Sequence, residues 1–411
     1  MIQLLQKFLY LPIEAKTREM DAKLLLTYYA IKQHYHVILG GHTPIFSHLN
    51  RMPKGILFSK GTPYGDSRKE LMADAKHLGY TPVELDEEGL LVNGLHYDRL
   101  GKDDKYLSVL EHVYCWGYTQ KEIIVNQFPN HEHKLYITGH PRFDLLKKKF
   151  RSLYDDEVKK LKDQYGDFIL VNTRFTQYNH FLKGLNPNEK YIKTVLEKFI
   201  DLVKKLSMKY PNLNIVVRPH IHEGLDIYRR ELANFKNVFI VHEGNIAMWL
   251  MAAKVVIHNR CTTGIEAFLL DKPVIAYIPI NYKRESTFLP NAVTKNTDKI
   301  KEIFDYIDAK HLHEKKDEQK KLLAHYYGAL DENYAYENII QLLDRLSVKA
   351  ENPISDETIK ALATIKGEHT LTSEAEIKSF FKKLDAIEGT ENKFRLNVLA
   401  PDLFEISALT E

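Results

Sequence analysis

Residues 255–277 constrain the fold of this chain more than any other stretch. An apolar run is followed by a polar turn, a helical segment, a short turn and a second apolar run. This is the pattern of one αβ unit of a parallel sheet. The polar turn comes at the carboxyl end of the first strand, which is where open α/β sheets bind their ligands. We therefore predict a ligand site at this turn.

Small residues stand where the helix of this unit begins. Thr262, Thr263 and Gly264 would let a phosphate or a carboxylate approach the first amides of the helix closely. Those amides lack intrahelical partners, and the helix dipole favours an anion there. The alternative is that Thr262 or Thr263 only caps the helix. The sequence alone leaves both interpretations open.

The composition is that of an ordinary globular protein. The 411 residues predict two or three domains, and 44% of them are hydrophobic. A net charge of +3, from 58 basic and 55 acidic residues, is too balanced to indicate nucleic-acid binding. No apolar run reaches the roughly 18 residues of a membrane span, and residues 1–10 lack the pattern of a signal peptide. Two cysteines suggest no disulfide framework, so we expect a cytoplasmic protein.

Apolar runs alternate with helical segments through most of the chain. Predicted strands such as 55–59, 81–85 and 168–172, separated by helices, indicate right-handed βαβ units and mostly parallel sheets. A charged stretch interrupts the alternation, which then restarts, so we expect two α/β domains with a cleft between them. We predict an N-terminal domain over 1–146, a helical connector over 147–165, a C-terminal domain over 166–345 and a helical tail over 346–411.

Polar motifs follow predicted strands of the second half. Arg218-Pro219-His220 offers a guanidinium for a phosphate or carboxylate and an imidazole for proton transfer. Glu223 and Asp226 follow closely and would reach the same cleft. Farther on, Glu243 lies between a strand and a helix, where its carboxylate would accept hydrogen bonds from ribose hydroxyls or from its own helix amides. Each motif taken alone is also compatible with an ordinary solvated surface.

Charged residues also follow predicted strands of the first half. Asp86, Glu87 and Glu88 place three carboxylates at one strand end, and their crowding disfavours joint ionisation. One of them would then stay protonated and act as an acid or base, although a solvated acidic turn is the alternative. A charged loop over residues 14–21 would bind substrate or cap the next helix. The sequence has no Gly-x-Gly-x-x-Gly, no Walker loop and no zinc-like Cys/His spacing.

Taken together, these motifs resemble those of the bacterial surface carbohydrate biosynthesis proteins. The resemblance covers residues 8–345. It rests on Leu11-Pro12-Ile13-Glu14-Ala15-Lys16, Arg18-Glu19, Asp21-Ala22-Lys23-Leu24-Leu25, Asp86-Glu87-Glu88-Gly89, Thr138-Gly139-His140-Pro141-Arg142-Phe143-Asp144, Arg218-Pro219-His220, His242-Glu243-Gly244-Asn245 and His258-Asn259-Arg260-Cys261-Thr262-Thr263-Gly264-Ile265-Glu266-Ala267.

Members of that family look like GT-B glycosyltransferases, similar to retaining β-Kdo transferases and more distantly to bacterial sialyl- and polysialyltransferases. The resemblance implies two Rossmann-like domains facing a cleft, with a helical C-terminal extension. It implies a CMP-activated 2-keto sugar acid as donor, either Kdo or a nonulosonic acid such as pseudaminic acid. The acceptor would be a capsule or lipopolysaccharide glycan, and transfer would retain configuration. No cofactor or metal would be needed beyond the CMP-sugar, and a lipid-linked acceptor would bring the enzyme to the inner face of the cytoplasmic membrane.

The motifs and the resemblance together predict the site residues. The sequence departs from the family pattern at Ile221, where relatives have a second proline, and at Gly224, where they have an aspartate. A carboxylate nucleophile would then be Glu223 or Asp226, or lie elsewhere. The predicted catalytic residues are Glu88, His220, Glu223 and Asp226; the predicted donor-binding residues are Arg218, Glu243, Gly244, Asn245, His258, Thr262, Thr263, Gly264 and Glu266; the predicted acceptor or interdomain residues are Glu14, Lys16, Arg18, Glu87 and Arg142.

Two other function classes fit the same patterns. One is an enzyme related to UDP-sugar epimerases or to glycerophosphotransferases, which share a related two-domain architecture. The other is a non-catalytic glycan-binding or assembly protein, which would show no turnover.

Overall fold

The computed structural model describes residues 5–61, 66–91, 104–175, 189–280, 288–309, 317–364 and 371–409. The chain divides into a first unit, Met1–Leu145 with Ala324–Glu411, and a second unit, Leu146–Leu323. Along the chain, the second unit is therefore an insertion into the first. The predicted C-terminal domain over 166–345 ends later than the second unit does, because residues 324–345 pack with the first unit.

The secondary structure alternates between strands and helices through both units. In chain order, the described strands are β1 (Lys7–Ile13), β2 (Tyr35–Gly41), β3 (Gly55–Ser59), β4 (Thr81–Leu85), β5 (His112–Cys115), β6 (Leu135–Ile137), β7 (Phe168–Asn172), β8 (Asn214–Arg218), β9 (Val238–Ile240), β10 (Val255–His258), β11 (Val274–Tyr277), β12 (Lys295–Thr297), β13 (Phe394–Ala400) and β14 (Leu403–Ala408).

The described α-helices are α1 (Lys16–Lys32), α2 (His42–Phe46), α3 (Asp66–His77), α4 (Lys105–Val109), α5 (Tyr118–Gln127), α6 (Pro141–Asp144), α7 (Asp155–Tyr165), α8 (Glu189–Lys209), α9 (Asp226–Leu232), α10 (Ile246–Ala252), α11 (Thr263–Leu269), α12 (Leu289–Ala292), α13 (Ile300–Asp308), α14 (Asp317–Tyr326), α15 (Ala335–Leu343), α16 (Asp356–Ala363) and α17 (Glu374–Glu388). Short 3₁₀ helices cover Gly89–Leu91, Pro129–Lys134 and Lys148–Tyr154. The charged stretch 147–165 contains the last of these 3₁₀ helices and α7. No described helix combines the length and apolar character needed to cross a bilayer.

Over its described residues, the first unit is built on an eight-stranded sheet in the order β13-β14-β2-β1-β3-β4-β5-β6. The six strands β1 to β6 run parallel, as the alternation of strands and helices predicted. The chain places β2 on one side of β1 and β3 on the other. A crevice for ligands is expected outside the carboxyl ends of the strands where the direction of winding changes, here between β1 and β3.

The described strands of the second unit form one parallel sheet in the order β12-β11-β10-β7-β8-β9. After β7 the chain moves outward to β8 and β9, and it then returns to lay β10 on the other side of β7. The switch point of this sheet therefore lies between β7 and β10. Helices cover both faces of such a sheet, which is why its strands are nearly continuous apolar runs, as in the Phe-Ile-Leu-Val-Asn sequence of β7.

The C-terminal segment differs from the helical tail that the sequence predicted. Helices α16 and α17 are present, but β13 and β14 form an antiparallel hairpin, and β14 pairs with β2 at the edge of the first sheet. The signal for β13 is a two-residue alternation, in which Phe394, Leu396 and Val398 are separated by polar residues. This short period-two pattern is a strand signal that a search for helical periodicity does not detect.

We expect the hairpin to carry part of the core of the first unit. Phe404 is 1% exposed, whereas Val398, its cross-strand neighbour, is 45% exposed. Replacing Phe404 with alanine should lower the free energy of unfolding by about 3–5 kcal/mol, because a buried aromatic side chain is lost. The control Val398→Ala should change it by less than about 0.5 kcal/mol. Urea unfolding followed by circular dichroism measures both, and equal small effects would show that the hairpin is peripheral.

Candidate functional site

Three polar residues end adjacent strands of the second sheet. Asn172 ends β7 and lies level with Arg218 at the end of β8 and with His258 at the end of β10. The residue before each, such as Val171 or Val217, packs in the core on one face of the sheet. Because side chains alternate along a strand, the three polar residues lie in a row on the opposite face, about 5 Å apart. This row lies at the switch point of the second unit.

Arg218 is the cation of this row. Its Nη2 donates a hydrogen bond to the carbonyl oxygen of Gly244 over 2.7 Å, and Gly244 adopts φ = 69° to present that oxygen. Its Nε is buried and has no hydrogen-bond partner among the described residues. Burial lowers the pKa of Arg218, although nearby Cys261 and Glu266 oppose the change. A half-buried guanidinium that still has an unused donor is well suited to an anionic ligand.

His258 has a supporting place in the row. Thr294 Oγ1 donates to the carbonyl oxygen of Pro290, so it accepts from His258 Nε2 over 3.1 Å. Burial lowers the pKa of His258 to about 3, so the imidazole is neutral at physiological pH. A Cβ atom at Gly264 would lie 2.4 Å from His258 Nε2. The ring therefore supports the start of α11. Because it is fully buried, it is shielded from the sugar nucleotide that the sequence predicted it to contact.

The two threonines before Gly264 do not act as helix caps through their side chains. Thr262 occupies the N-cap position of α11, but its hydroxyl makes no capping hydrogen bond. Its backbone carbonyl accepts the amides of Ile265 and Glu266 instead. Thr263 Oγ1 has no hydrogen-bond partner within the described ranges. The capping interpretation is therefore wrong for Thr262.

Glu223 is buried and accepts hydrogen bonds from both neighbouring loops. The donors are the hydroxyls of Thr173 (3.1 Å) and Tyr228 (2.6 Å) and the amides of Phe175 (2.9 Å) and His220 (3.1 Å). Burial raises the pKa of this carboxyl, and the four donors work against that change. A carboxylate whose lone pairs are engaged in this way fixes the loops after β7 and β8. This arrangement suits a positioning role better than nucleophilic attack.

The structure separates Asp226 from Glu223. The Asp226 side chain is 97% exposed at the start of α9 and lies 3.7 Å from Arg229. His220 is half-buried, and its Nδ1 accepts the amide of His222 over 3.3 Å. Of the predicted catalytic residues in this unit, His220 is thus the one placed beside Glu223 and the end of β8.

The loop after β9 is held by its own helix. Asn245 Oδ1 accepts the amide of Ala247 and so caps α10. The sequence analysis considered such capping for Glu243, but the structure assigns it to Asn245. Glu243 is exposed and contributes its carbonyl oxygen to Trp249 Nε1 over 2.8 Å. The side chain of Met248 leaves no room for a Cβ at Gly244, which keeps the Gly244 carbonyl directed at Arg218.

A buried charged cluster occupies the carboxyl ends of the first sheet. Glu87 lies 3.1 Å from Lys23 Nζ and 3.2 Å from His140 Nε2, and all three side chains are at most 2% exposed. His140 Nδ1 accepts the amide of Arg142, which leaves the ring proton on Nε2, facing Glu87. Burial alone would raise the pKa of Glu87, but Lys23 and His140 outweigh it and hold the pKa well below its usual range. Glu87 is therefore ionised and is not the protonated member of the acidic turn that the sequence predicted.

A second group of charges joins this cluster between β1 and β3. Lys60 Nζ lies 2.7 Å from Glu14 and 3.0 Å from Glu19. Arg18 bridges Glu19 (3.1 Å) and Glu88 (3.0 Å). The structure thus brings together three predicted residues, Glu14, Arg18 and Glu88, at the switch point of the first unit. Glu19, part of the charged loop predicted over residues 14–21, connects them together with Lys60, which the sequence did not indicate.

Two predicted residues of the first unit remain, Lys16 and Arg142. Lys16 forms an exposed ion pair with Glu376 of α17 over 2.9 Å. The Arg142 guanidinium lies 5.2 Å from the centre of the Trp116 ring. Within the described ranges, no group of three or more His, Cys, Asp or Glu side chains is arranged to hold a metal ion.

Solved structures share this architecture at low sequence identity. The UDP-GlcNAc 2-epimerase of Neisseria meningitidis, bound to UDP-GlcNAc, is 14% identical over 83% of this chain and 100% of its own, with a TM-score of 0.52. S. aureus MnaA with UDP is 12% identical over 85% and 100%, with a TM-score of 0.54. A putative UDP-N-acetylglucosamine 2-epimerase of Listeria monocytogenes is 12% identical over 86% and 100%, with a TM-score of 0.53.

These likenesses confirm the predicted fold, an α/β architecture of GT-B type. None of the three is a β-Kdo transferase, so they give the finer part of the sequence resemblance no support. No protein-family model matches the chain. Curated protein sequences give no significant match either.

We expect the burial of His258 to lower the free energy of unfolding of the protein at acid pH. Its folded pKa of about 3 lies below the ordinary value of 6.5, so the unfolded chain takes up a proton first as the pH falls. The contribution of His258 to the free energy of unfolding is therefore fully present above pH 6.5. It is lost as the pH falls toward 3, at about 1.4 kcal/mol per pH unit. The variant His258→Gln should lose this slope in urea titrations at several pH values. An unchanged slope, equal to that of the exposed control His222→Gln, would contradict the assignment.

We expect Lys23 to be needed for the stability of the first unit. The variant Lys23→Met leaves Glu87 charged and buried without its cation and should cost about 3–5 kcal/mol of unfolding free energy. The double variant Lys23→Met/Glu87→Gln should recover much of that loss. The control Lys16→Met breaks an exposed pair and should cost at most about 1 kcal/mol. If chemical denaturation gives the two single variants the same stability, the Lys23–Glu87 pair is not the strong contact described above.

Proposed function

We propose that this chain is an enzyme that acts on a nucleotide-activated sugar bound at the carboxyl ends of β7, β8 and β10. The observation that carries the proposal is the row of Arg218, Asn172 and His258 at the switch point of the second sheet. Arg218 offers an unused buried donor, and Glu223 fixes the loops on either side. Ligands of open α/β sheets bind at this place.

The nucleotide that we propose is a uridine diphosphate carrying an N-acetylated amino sugar. Two of the similar structures hold UDP or UDP-GlcNAc. The names of the Neisseria meningitidis and Listeria monocytogenes proteins support the epimerase-like interpretation of the sequence over transfer from a CMP-sugar. We therefore propose an epimerase-like reaction on a UDP-sugar as the main activity.

The leaving nucleotide is where the second unit would act. Breaking the bond between the anomeric carbon and the diphosphate places negative charge on the departing phosphate oxygens. Preorganised donors in a partly buried site stabilise such charge strongly. Arg218 is suited to this role because its guanidinium stays charged and is fixed by its hydrogen bond to Gly244.

A second candidate is transfer of a CMP-activated sugar acid, and one observation favours it. Thr263 Oγ1 is left without a described partner beside Gly264, as a phosphate-holding hydroxyl would be. This hydroxyl belongs to the threonine pair by which the sequence resembles the transferases. Both candidates break the bond between the anomeric carbon and the phosphate. In epimerisation the neighbouring carbon also loses its proton, a solvent proton then returns to its opposite face and the nucleotide is re-added; in transfer an acceptor hydroxyl loses its proton and its oxygen replaces the nucleotide.

Calorimetry with UDP, UDP-GlcNAc and CMP, on the full chain, tests the proposal. We expect saturable binding of UDP and UDP-GlcNAc and much weaker binding of CMP. The variant Arg218→Met should weaken UDP binding by about 10- to 100-fold, which corresponds to the loss of a hydrogen bond to a charged group. The control Arg230→Met removes an exposed arginine from α9 and should leave affinity unchanged.

Turnover then separates the candidates. Incubation of UDP-GlcNAc with the protein in D₂O, followed by proton NMR, should show a new sugar epimer with deuterium at the inverted carbon. Binding of CMP without binding of UDP would favour sugar-acid transfer instead. A chain that binds no nucleotide at all would contradict both candidates.

A further inference from the structure

We propose that Arg174 and Arg260 act with Arg218 to select a nucleoside diphosphate over a nucleoside monophosphate. We call these three residues the strand-end arginines. The inference rests on the proposed nucleotide site and adds two residues to it. Neither Arg174 nor Arg260 was among the residues predicted from the sequence to form the site.

Strand register brings the strand-end arginines together. Arg174 stands two residues beyond Asn172 on β7, and Arg260 stands two residues beyond His258 on β10. Since Asn172 and His258 are paired in register, Arg174 and Arg260 each lie two residues past the ends of two adjacent strands. Arg174 Nη1 donates to the carbonyl oxygen of Arg260 over 3.4 Å, which joins the two loops directly. Arg218 ends the strand on the other side of β7.

The backbone at Arg260 is held in an uncommon conformation. Its φ is 50°, in the left-handed region that a residue with a side chain rarely adopts. Asn291 Oδ1 accepts the Arg260 amide over 3.2 Å, and the guanidinium lies 4.9 Å from the centre of the Phe288 ring. The surrounding structure thus imposes the turn that directs the chain from β10 toward α11. Backbone of this kind is concentrated at ligand sites.

Two of the strand-end arginines, Arg174 and Arg218, have no ion pair within the described residues. Two buried carboxylates belong to this region: Glu223 already accepts hydrogen bonds from its four donors, and Glu266 lies near Arg218. Arg174 is also exposed, so its guanidinium is open to a ligand from solution. An anion with more than one charged group would complete the site.

Two phosphates fit this arrangement better than one. A guanidinium binds a phosphate through a fork of two N–H groups, so one arginine is enough for a monophosphate. Here the cations come from three neighbouring strand ends, with Arg218 near the buried end of the site and Arg174 exposed. A diphosphate offers these cations two charged groups, whereas a CMP-sugar offers only one phosphate. The strand-end arginines therefore favour a UDP-sugar.

The test compares UDP with UMP in calorimetry on the full chain. The variant Arg174→Met should weaken UDP binding by at least 10-fold and UMP binding by much less, so that the ratio of the two affinities falls. Arg174→Lys keeps the positive charge but lacks the paired N–H groups of a guanidinium. Its ratio of UDP to UMP affinity should therefore lie between that of Arg174→Met and that of the parent protein. The matched control Arg229→Met, on α9 of the same unit, should leave both affinities unchanged. Pyrophosphate should compete with UDP in the parent protein and compete less well in Arg174→Met.

Each other outcome overturns the inference in a distinguishable way. If the parent protein binds UDP and the ratio is the same in Arg174→Met, the proposed function stands and the selection by the strand-end arginines is wrong. Equal losses for UDP and UMP would show that Arg174 supplies only general attraction, which also overturns the selection. If the parent protein binds neither UDP, UMP nor pyrophosphate, the proposed nucleotide site fails and the inference fails with it.

Discussion

Parallel pairing on both sides of β7 is the constraint on which the proposed site depends. Because β8 and β10 are both in register with β7, the last residues of three strands fall in one row. The strands are buried on both faces, so their interiors must be apolar, and polar side chains are admitted only where the strands end. A crevice for ligands is expected where the direction of winding changes at β7. Arg218, Asn172 and His258 end the three strands at this place as a consequence of topology, with Asn172 and His258 buried.

The groups that shape this crevice are themselves buried. His258 is kept neutral under the start of α11, and Glu223 collects hydrogen bonds from the loops after β7 and β8. Such groups are costly to bury and are tolerated when their partners are fixed. The first unit uses the same principle, with Glu87 held between Lys23 and His140 at the ends of its own strands. In both units, buried polar groups with fixed partners order the loops that follow the strands.

The sequence predicted the strands and helices of both units well, because parallel strands are strongly apolar and end in recognisable turns. Strands 55–59, 81–85 and 168–172 were predicted with the bounds that the structure has. Side-chain roles were harder to predict. Lys23 lies inside an ordinary helical pattern, so nothing in the sequence indicates that it is paired in the core. Arg174 belongs to no motif, and only the folded structure brings its side chain to the carbonyl oxygen of Arg260. The role of Glu223 depends on two donors about 50 residues away, Thr173 and Phe175, together with its near neighbours His220 and Tyr228, and sequence patterns do not show the distant pair.

The central claim is that a nucleotide binds at the carboxyl ends of β7, β8 and β10. Hydrogen–deuterium exchange with and without UDP, read by mass spectrometry, tests it most directly, since bound phosphates slow the exchange of neighbouring amides. The account predicts protection in residues 173–175, 219–224 and 259–264, and none at the opposite edge of the same sheet, in residues 211–213 and 254. Protection confined to that opposite edge, or no change in the three strand-end loops at a saturating concentration of UDP, would contradict it.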